Sequence, residues 1–386
     1  MSTAKDPPSH LVHGMTLDAG DGAEPDWPPL TESEVRLVLG AAGLDTPAVI
    51  EWRSPRPFSA AALVRAGDRS MVVKRHDLQV RDARKLEAEH DFASFLAGRG
   101  IPVPPLLAPT LELGGCAYEI LGVVPGCDSY RDAWSWTPYR SGRHAEAAGR
   151  ALAELHLASE GYDGRPRPPA ALLGSTTVID AADPVAAIER LSRCLPGLAG
   201  FLALEAGWQE RITAALAPFH ERWRRHALHL EPLWAHGDWH PSNLFWTGPG
   251  SDATVSGVLD FGLCNLATAG YDLAVAIERA CVEWLAPPGR RRVFGDDMAA
   301  LVRGYLAVRS LSSEERSALP HLLPLAHVDY ALSEIEYFHG IVGSAKNTRL
   351  AYEGYLLGHL AWFGSGAGRE LCRRLAEMLG VPSEQS

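Results

Sequence analysis

The sequence predicts an α+β fold in two lobes, a small antiparallel sheet with one main helix followed by a larger, mostly helical part. Three observations predict it. Strand-like alternation marks the stretch between Ala48 and Leu121 and is interrupted by a single amphipathic helix. After Gly122-Val123-Val124-Pro125-Gly126 the pattern turns helical and stays so to the end, with one break between Trp234 and Asp260. With 386 residues, 46% of them hydrophobic, the chain exceeds a single minimal domain, so two lobes with insertions are the natural expectation. The divisions fall at 1–27, a mobile tail; 28–122, the N-lobe; and 123–386, the helical C-lobe.

The tail is rich in Pro, Gly, Asp and Ser and has no basic start before an apolar core, so it does not read as a signal peptide. No apolar run approaches a membrane span, and a cytoplasmic location is expected. Thr31-Glu32-Ser33-Glu34 has the form of a capping box and opens a short helix. Strands are expected over Val49–Trp52, Ala61–Val64 and Met71–Lys74, joined by a Pro-rich turn (54–59) and by Ala66-Gly67-Asp68. A helix follows over about 80–97, with Leu86, Ala93 and Leu96 facing inward. Glu89 falls on the same stripe, where an acid is costly unless a cation meets it. Gly98 and Gly100 end the helix and Pro102, Pro104 and Pro105 prevent its resumption. Two more strands are expected over 106–108 and 116–121.

The charge balance, 36 Lys and Arg against 47 Asp and Glu, gives a net charge of −11. That argues against a nucleic-acid partner, which needs a basic face. It suits a cationic small substrate, and solubility explains it equally well. Six scattered cysteines, none in a Cys-x-x-Cys pair, read as reduced thiols. His226 and His229 share a helical face, but no Cys or His-Glu-x-x-His pattern nearby completes a metal site.

The chemistry-bearing segment is His236-Gly237-Asp238-Trp239-His240-Pro241-Ser242-Asn243, followed by two apolar strands and Asp260-Phe261-Gly262. Asp238, in a tight loop, can take a proton from a substrate hydroxyl. Asn243 offers a neutral oxygen and Asp260 an anionic one. Mg²⁺ bound to nucleotide phosphates needs such a pair, its remaining ligands being phosphate and water.

His-Gly-Asp-x-His-x-x-Asn followed by Asp-Phe-Gly resembles the aminoglycoside phosphotransferase and choline-kinase-like branch of the protein-kinase-like superfold. The resemblance implies ATP or another NTP, Mg²⁺, and transfer of a phosphoryl group to a hydroxyl. It implies that Lys74 holds the phosphates, that Glu89 pairs with Lys74, and that Leu121, Gly122 and Val123 form the hinge that meets the adenine. It also implies that Asp272, in Tyr271-Asp272-Leu273-Ala274, supports the catalytic loop together with His236 and His240. One departure stands out: no Gly-x-Gly-x-x-Gly lies between the first two strands, so Ser59 and nearby backbone N–H groups are expected to replace it.

Nine residues separate Gly262 from Asp272, too few for the segment on which protein kinases hold a peptide. A small acceptor is therefore expected, of the kinds this branch takes: aminoglycosides, amino sugars, choline, homoserine or methylthioribose. A bacterial protein Ser/Thr kinase and a nucleotide-binding module without turnover are the alternatives. Asp329 and Glu336, seven residues apart on one helical face, are expected to bind the acceptor. Trp134 and Trp136 either stack on it or pack the lobes together.

Overall fold

The computed structural model describes residues 10–12, 15–17, 26–44, 47–133, 135–227, 230–286 and 289–381. Within the stretch read as a tail, β1 (His10–Val12) pairs antiparallel with β2 (Met15–Leu17). Asp26 and Trp27 are tied to the helical lobe: the Trp27 indole donates to the Tyr337 hydroxyl at 2.9 Å, and that hydroxyl donates to Asp26 at 3.0 Å. The rest of the stretch before Asp26 lies outside the described residues.

Helix α1 (Glu32–Ala41) begins at the expected capping box, with Thr31 and Glu34 each satisfying the other's backbone N–H. Strands β3 (Ala48–Arg53), β4 (Ala60–Ala66) and β5 (Arg69–Asp77) form an antiparallel sheet. After α2 (Ala83–Ala97) come β6 (Leu111–Leu113) and β7 (Cys116–Gly122), giving the order β3-β4-β5-β7-β6. The strand expected over 106–108 shrinks to one bridge, Leu106 to Leu121; three prolines just before it leave few N–H groups to pair.

Period two decides what each face of this sheet does. Ala60, Ala62, Val64, Met71, Val73 and Ile120 point to one side and build a small core with Val35, Val38 and Leu39 of α1. Their neighbours Ala61, Leu63, Val72, Lys74 and Leu121 point to the other side and line a cleft. Helix α2, capped by Asp82, turns its stripe of Leu86, Glu89, Phe92 and Leu96 inward. Phe92 and Leu96 join the core of the larger lobe rather than that of the sheet.

Among the described residues the larger lobe contains α3 (Gly142–Ser159), α4 (Pro184–Leu191), α5 (Pro196–Leu204) and α6 (Trp208–Ala227), then four short strands and seven more α-helices. The strands are β8 (Pro232–Ala235), β9 (Leu244–Trp246), β10 (Val255–Val258) and β11 (Asn265–Thr268). Beyond them lie α7 (Ala269–Cys281), α8 (Gly295–Leu306), α9 (Ser313–Leu322), α10 (Val328–Ile335), α11 (Ala345–Arg349) and α12 (Gly358–Phe363), and α13 (Gly366–Met378) closes the chain. Helices α3 and α8 cross backbone to backbone. A Cβ on Gly149 would collide with the Leu301 carbonyl, and one on Gly304 with that of Glu146. Among the described residues no helix is long and apolar enough to cross a membrane. The two-lobed α+β arrangement expected from the sequence is present.

Candidate active site

Between the sheet and the helical lobe lies a cavity of about 380 Å³. Ser59 and Lys74 line its roof, Leu121, Gly122 and Val123 its back edge, and Asp238, Asn243 and Asp260 its floor. Gly122 is held to glycine by its packing. A Cβ there would sit 2.7 Å from the Pro105 ring, and the Gly122 N–H is already given to the Pro105 carbonyl at 2.8 Å.

The floor is built from two short ladders. Strands β8 and β11 pair antiparallel, with Ala235 opposite Asn265, and so launch the loop at 236. Strands β9 and β10 form the hairpin that returns the chain to Asp260. Asp272, in the first turn of α7, is fully buried. It accepts the N–H groups of His236 at 2.6 Å and Gly237 at 2.7 Å, and its other close neighbour is His156 at 3.1 Å. Gly237 has φ +78°, and a Cβ there would strike the Leu263 carbonyl. The ring of His236 reaches the Leu259 carbonyl at 2.9 Å, which joins the loop to the residue before Asp260.

Asp238 is thereby held by several groups at once. Asn243 Nδ2 donates to its carboxylate at 3.1 Å and to its carbonyl at 3.0 Å. Arg279 lies 3.3 Å from one carboxylate oxygen and His240 Nε2 3.3 Å from the other. Burial by itself would raise the Asp238 pKa, but Arg279 and then His240 outweigh it and hold the group well below the usual carboxylate range. Asp260 adopts a left-handed conformation, φ +59°, and lies 3.3 Å from Lys74. Burial again opposes ionisation, yet Lys74 and Arg81 bring its pKa down to about 2. Asp238 and Asp260 are both anions at neutral pH. Phe261 packs edge-on against Phe92 and near the His236 ring, which locks the turn onto α2.

The pairing of Lys74 with Glu89 is not what the structure contains. Lys74 faces Asp260, whereas Glu89 Oε1 lies 3.1 Å from Arg81 and 2.7 Å from Arg167. Arg167 also donates to the carbonyls of Gly262 and Cys264, both at 2.9 Å, so Glu89 clamps α2 to the segment that follows Asp260. The demand for a cation was read correctly and its supplier was not. Strand register places a different acid opposite Lys74, Glu119, which is buried and meets His76 at 2.7 Å and His90 at 2.6 Å. Arg56 is a further residue that sequence reading passed over. It reaches from the turn before β4 to the Ser242 carbonyl at 2.9 Å, and lies 3.5 Å from the Asn243 oxygen. Neither Arg56, Arg167 nor Arg279 belongs to a spacing pattern, so only the folded chain reveals them.

The acceptor residues expected on the sequence are also corrected. Asp329 is buried away from the cleft and accepts from Ser175 Oγ at 2.8 Å, Val178 N at 2.9 Å and Ile179 N at 3.3 Å. Burial, partly opposed by these bonds, pushes its pKa up to about 7. Glu336 accepts the N–H of Leu198 at 2.8 Å, in the first turn of α5, where no local side chain caps the helix. Both acids satisfy orphaned backbone donors, which is why they sit on an apolar face. Asp329→Ala is therefore expected to lower stability by roughly 2–4 kcal/mol, because buried donors are left unpaired. Its acceptor KM should stay at the wild-type value; thermal denaturation and steady-state kinetics check both. Trp136 is 2% exposed and packs among Trp284, Tyr355 and His359 inside the helical lobe. Trp134 lies outside the described residues, as does His229, while His226 stacks on His321.

A kinase-like two-lobed fold with a His-Gly-Asp loop, an Asn five residues on and an Asp-Phe-Gly turn in one cleft defines a class, that of the small phosphotransferases. Residues 57–311 match the model of the phosphotransferase enzyme family, and the chain belongs to that family. It is 30% identical over 293 residues to a homoserine kinase of Phenylobacterium zucineum, covering 72% of this chain and 77% of that one. It is 28% identical over 250 residues to a homoserine kinase of Xanthobacter autotrophicus, covering 62% of this chain and 65% of that enzyme. Solved structures of similar shape include a microcompartment-associated aminopropanol kinase, with TM-score 0.53 and 16% identity over 91% of this chain and 99% of that one. A spectinomycin phosphotransferase in complex with ADP and spectinomycin also has TM-score 0.53, at 12% identity, covering 91% of this chain and all of that one.

Proposed function

We propose that this protein transfers the γ-phosphoryl group of ATP, or of another NTP, to a hydroxyl of a small polar molecule such as an amino alcohol, an amino sugar, an aminoglycoside or a homoserine-like compound. The observation that carries the reading is the convergence of Asp238, Asn243, Asp260 and Lys74 on one cleft beneath the hinge. Residues 28–122 are the nucleotide-binding lobe and 123–386 the acceptor lobe, and the protein works in the cytoplasm, where ATP is made available.

Lys74 meets the phosphates, helped by Ser59 and by Arg56 from the turn that replaces a glycine-rich loop. The donor set fits Mg²⁺: Asp260 is ionised, and Asn243 spends its amide nitrogen on Asp238, so that its oxygen, which accepts only a long 3.5 Å bond from Arg56, is the atom it can offer. Bound there with the nucleotide, Mg²⁺ would neutralise charge on the phosphates. Asp238 orients the acceptor hydroxyl and takes its proton as the oxygen bonds to phosphorus and the bond to the β-phosphate oxygen breaks. Arg279 and Tyr330 line the cleft beside Asp238 and flank the acceptor. Asp272, His236 and His240 hold the loop in shape.

Because the relatives named above are homoserine kinases and the fold neighbours an aminopropanol kinase and a spectinomycin phosphotransferase, the acceptor panel should contain homoserine, aminopropanol, amino sugars and aminoglycosides. ATP and GTP consumption is measured with each, against casein as a protein acceptor. Turnover with a small hydroxyl compound and none with casein is expected. Turnover confined to casein, or no nucleotide consumption with any acceptor, refutes the reading. The second candidate, a protein kinase, is disfavoured because β11 and the start of α7 together occupy most of the short path from Gly262 to Asp272.

A further inference from the structure

Behind Arg279, on the side away from the cleft, three helices bring ionisable side chains together in the interior of the larger lobe. They are Glu278 of α7, His327 at the start of α10 and His359 of α12, at 2%, 5% and 3% exposure. One donor atom from each lies within 4.8 Å of the other two. Glu334 of α10, with 0% exposure, lies next to His327. We propose that Glu278, His327 and His359 form a buried binding site for a zinc-class divalent cation, with Glu334 next to His327.

The spacing is the first support. Donors around one tetrahedral ion at about 2.0–2.1 Å lie about 3.3 Å from each other. Glu278 Oε1 and His359 Nδ1 are 3.2 Å apart, and His327 Nε2 and Glu334 Oε2 are 3.5 Å apart. The second support is an unmet demand. Glu278 Oε1 and His359 Nδ1 are buried and face each other at 3.2 Å without a well-formed hydrogen bond, and neither atom has another hydrogen-bond partner. Buried polar atoms are seldom left so, and a cation between the two satisfies both. The third is charge. Arg279 is shared between the carboxylates of Asp238 and Glu278, while burial pushes the Glu334 pKa up to about 8 and keeps that acid protonated at neutral pH. Two carboxylates on one buried guanidinium leave an excess of negative charge, and a divalent ion offsets it.

The donor chemistry selects the metal. Two imidazoles with carboxylates suit zinc and its neighbours, whereas Mg²⁺ and Ca²⁺ prefer oxygen throughout. The surroundings hold the ligands in place: the His359 ring stacks on Trp284 at 3.8 Å and meets Trp136 edge-on at 5.1 Å. With three protein donors, all buried, the site has no open face for a substrate, and it pins α7, α10 and α12 around the arginine that touches Asp238.

The test uses the full chain after chelator dialysis and does not depend on any activity. Calorimetry with Zn²⁺ and absorption with Co²⁺ are measured for wild type, Glu278→Gln, His359→Ala and Asp260→Ala. Expected are one Zn²⁺ per chain, the visible bands of four-coordinate Co²⁺, and a rise in Tm of about 4–8 °C at saturating Zn²⁺. Glu278→Gln, which keeps the side-chain volume, should weaken Zn²⁺ binding at least tenfold and lose the Co²⁺ bands, while Asp260→Ala keeps both. If His359→Ala does not fold, Glu278→Gln decides. A folded wild-type chain that takes up neither metal overturns the proposal. Uptake unchanged in Glu278→Gln, or lost in Asp260→Ala and kept in Glu278→Gln, overturns it as well. Failure of the phosphotransfer reading would leave these outcomes unaltered.

Discussion

Asp238→Asn is expected to lower turnover by about two to four decades while ATP binds nearly as before, the range usual for loss of a catalytic base. The substitution keeps the size of the side chain and removes its charge. Asp238 sits between Arg279 and His240, both 3.3 Å away, and Asn243 donates to it, so the carboxylate is pre-aimed at one point of the cleft. A carboxylate whose pKa is depressed is a weak base for a free alcohol. Its contribution is therefore orientation of the hydroxyl first, and acceptance of the proton late, as the phosphoryl group arrives. The same depression fixes a pH sign. The ionised form is retained far into acid, and the stability it contributes is lost only as pH falls through the lowered folded pKa, below the ordinary carboxylate range. An acid limb of the activity profile between pH 5 and 7 must then come from another group. A kcat for Asp238→Asn within about threefold of wild type removes Asp238 from the mechanism.

Asp260→Ala should reduce Mg²⁺-dependent turnover by about three decades or more, because it deletes the anionic ligand expected for the ion and leaves Lys74 without its nearest anion. Affinity for the acceptor should not change. The backbone adds a complication, since Asp260 has φ +59° and alanine tolerates the left-handed region less well than Asp or Asn, at a cost of about 1–2 kcal/mol. Asp260→Asn separates the two effects: it keeps the backbone preference and removes the charge. Both variants are assayed across a Mg²⁺ titration, with folding followed by circular dichroism. Activity near wild type at ordinary Mg²⁺ in either variant contradicts the assignment.

Where the sequence was legible, the signal was local. The capping box at Thr31 and Glu34, the alternation of the N-terminal strands and the stop after α2 each depend on residues a few positions apart, and each is present in the structure. The His-Gly-Asp loop was legible for the same reason, because a short loop and the hairpin after it carry Asp238, Asn243 and Asp260 together. Asp272 was legible as a support, and it does receive the N–H groups of His236 and Gly237. The misreadings share a different origin. Asp329 and Glu336 do lie along one stretch of helix, but periodicity says only which face a side chain takes, not what that face meets. What they meet is unsatisfied backbone N–H groups.

By itself, then, the sequence determined the two-lobed α+β class, the order of the elements and the loop that carries the candidate chemistry, because hydrophobic period, turn residues and caps act over one or two helical turns. Tertiary structure alone decided the partners of the buried charges. Glu89 is met by Arg81 and Arg167, Lys74 by Asp260, and Asp238 by Arg279, 41 residues along the chain. A buried carboxylate must be matched by some cation, so its need can be read from a single stripe of residues. Which cation answers depends on distances that arise only when remote helices pack, and the gathering of Glu278, His327, Glu334 and His359 from three such helices has the same cause.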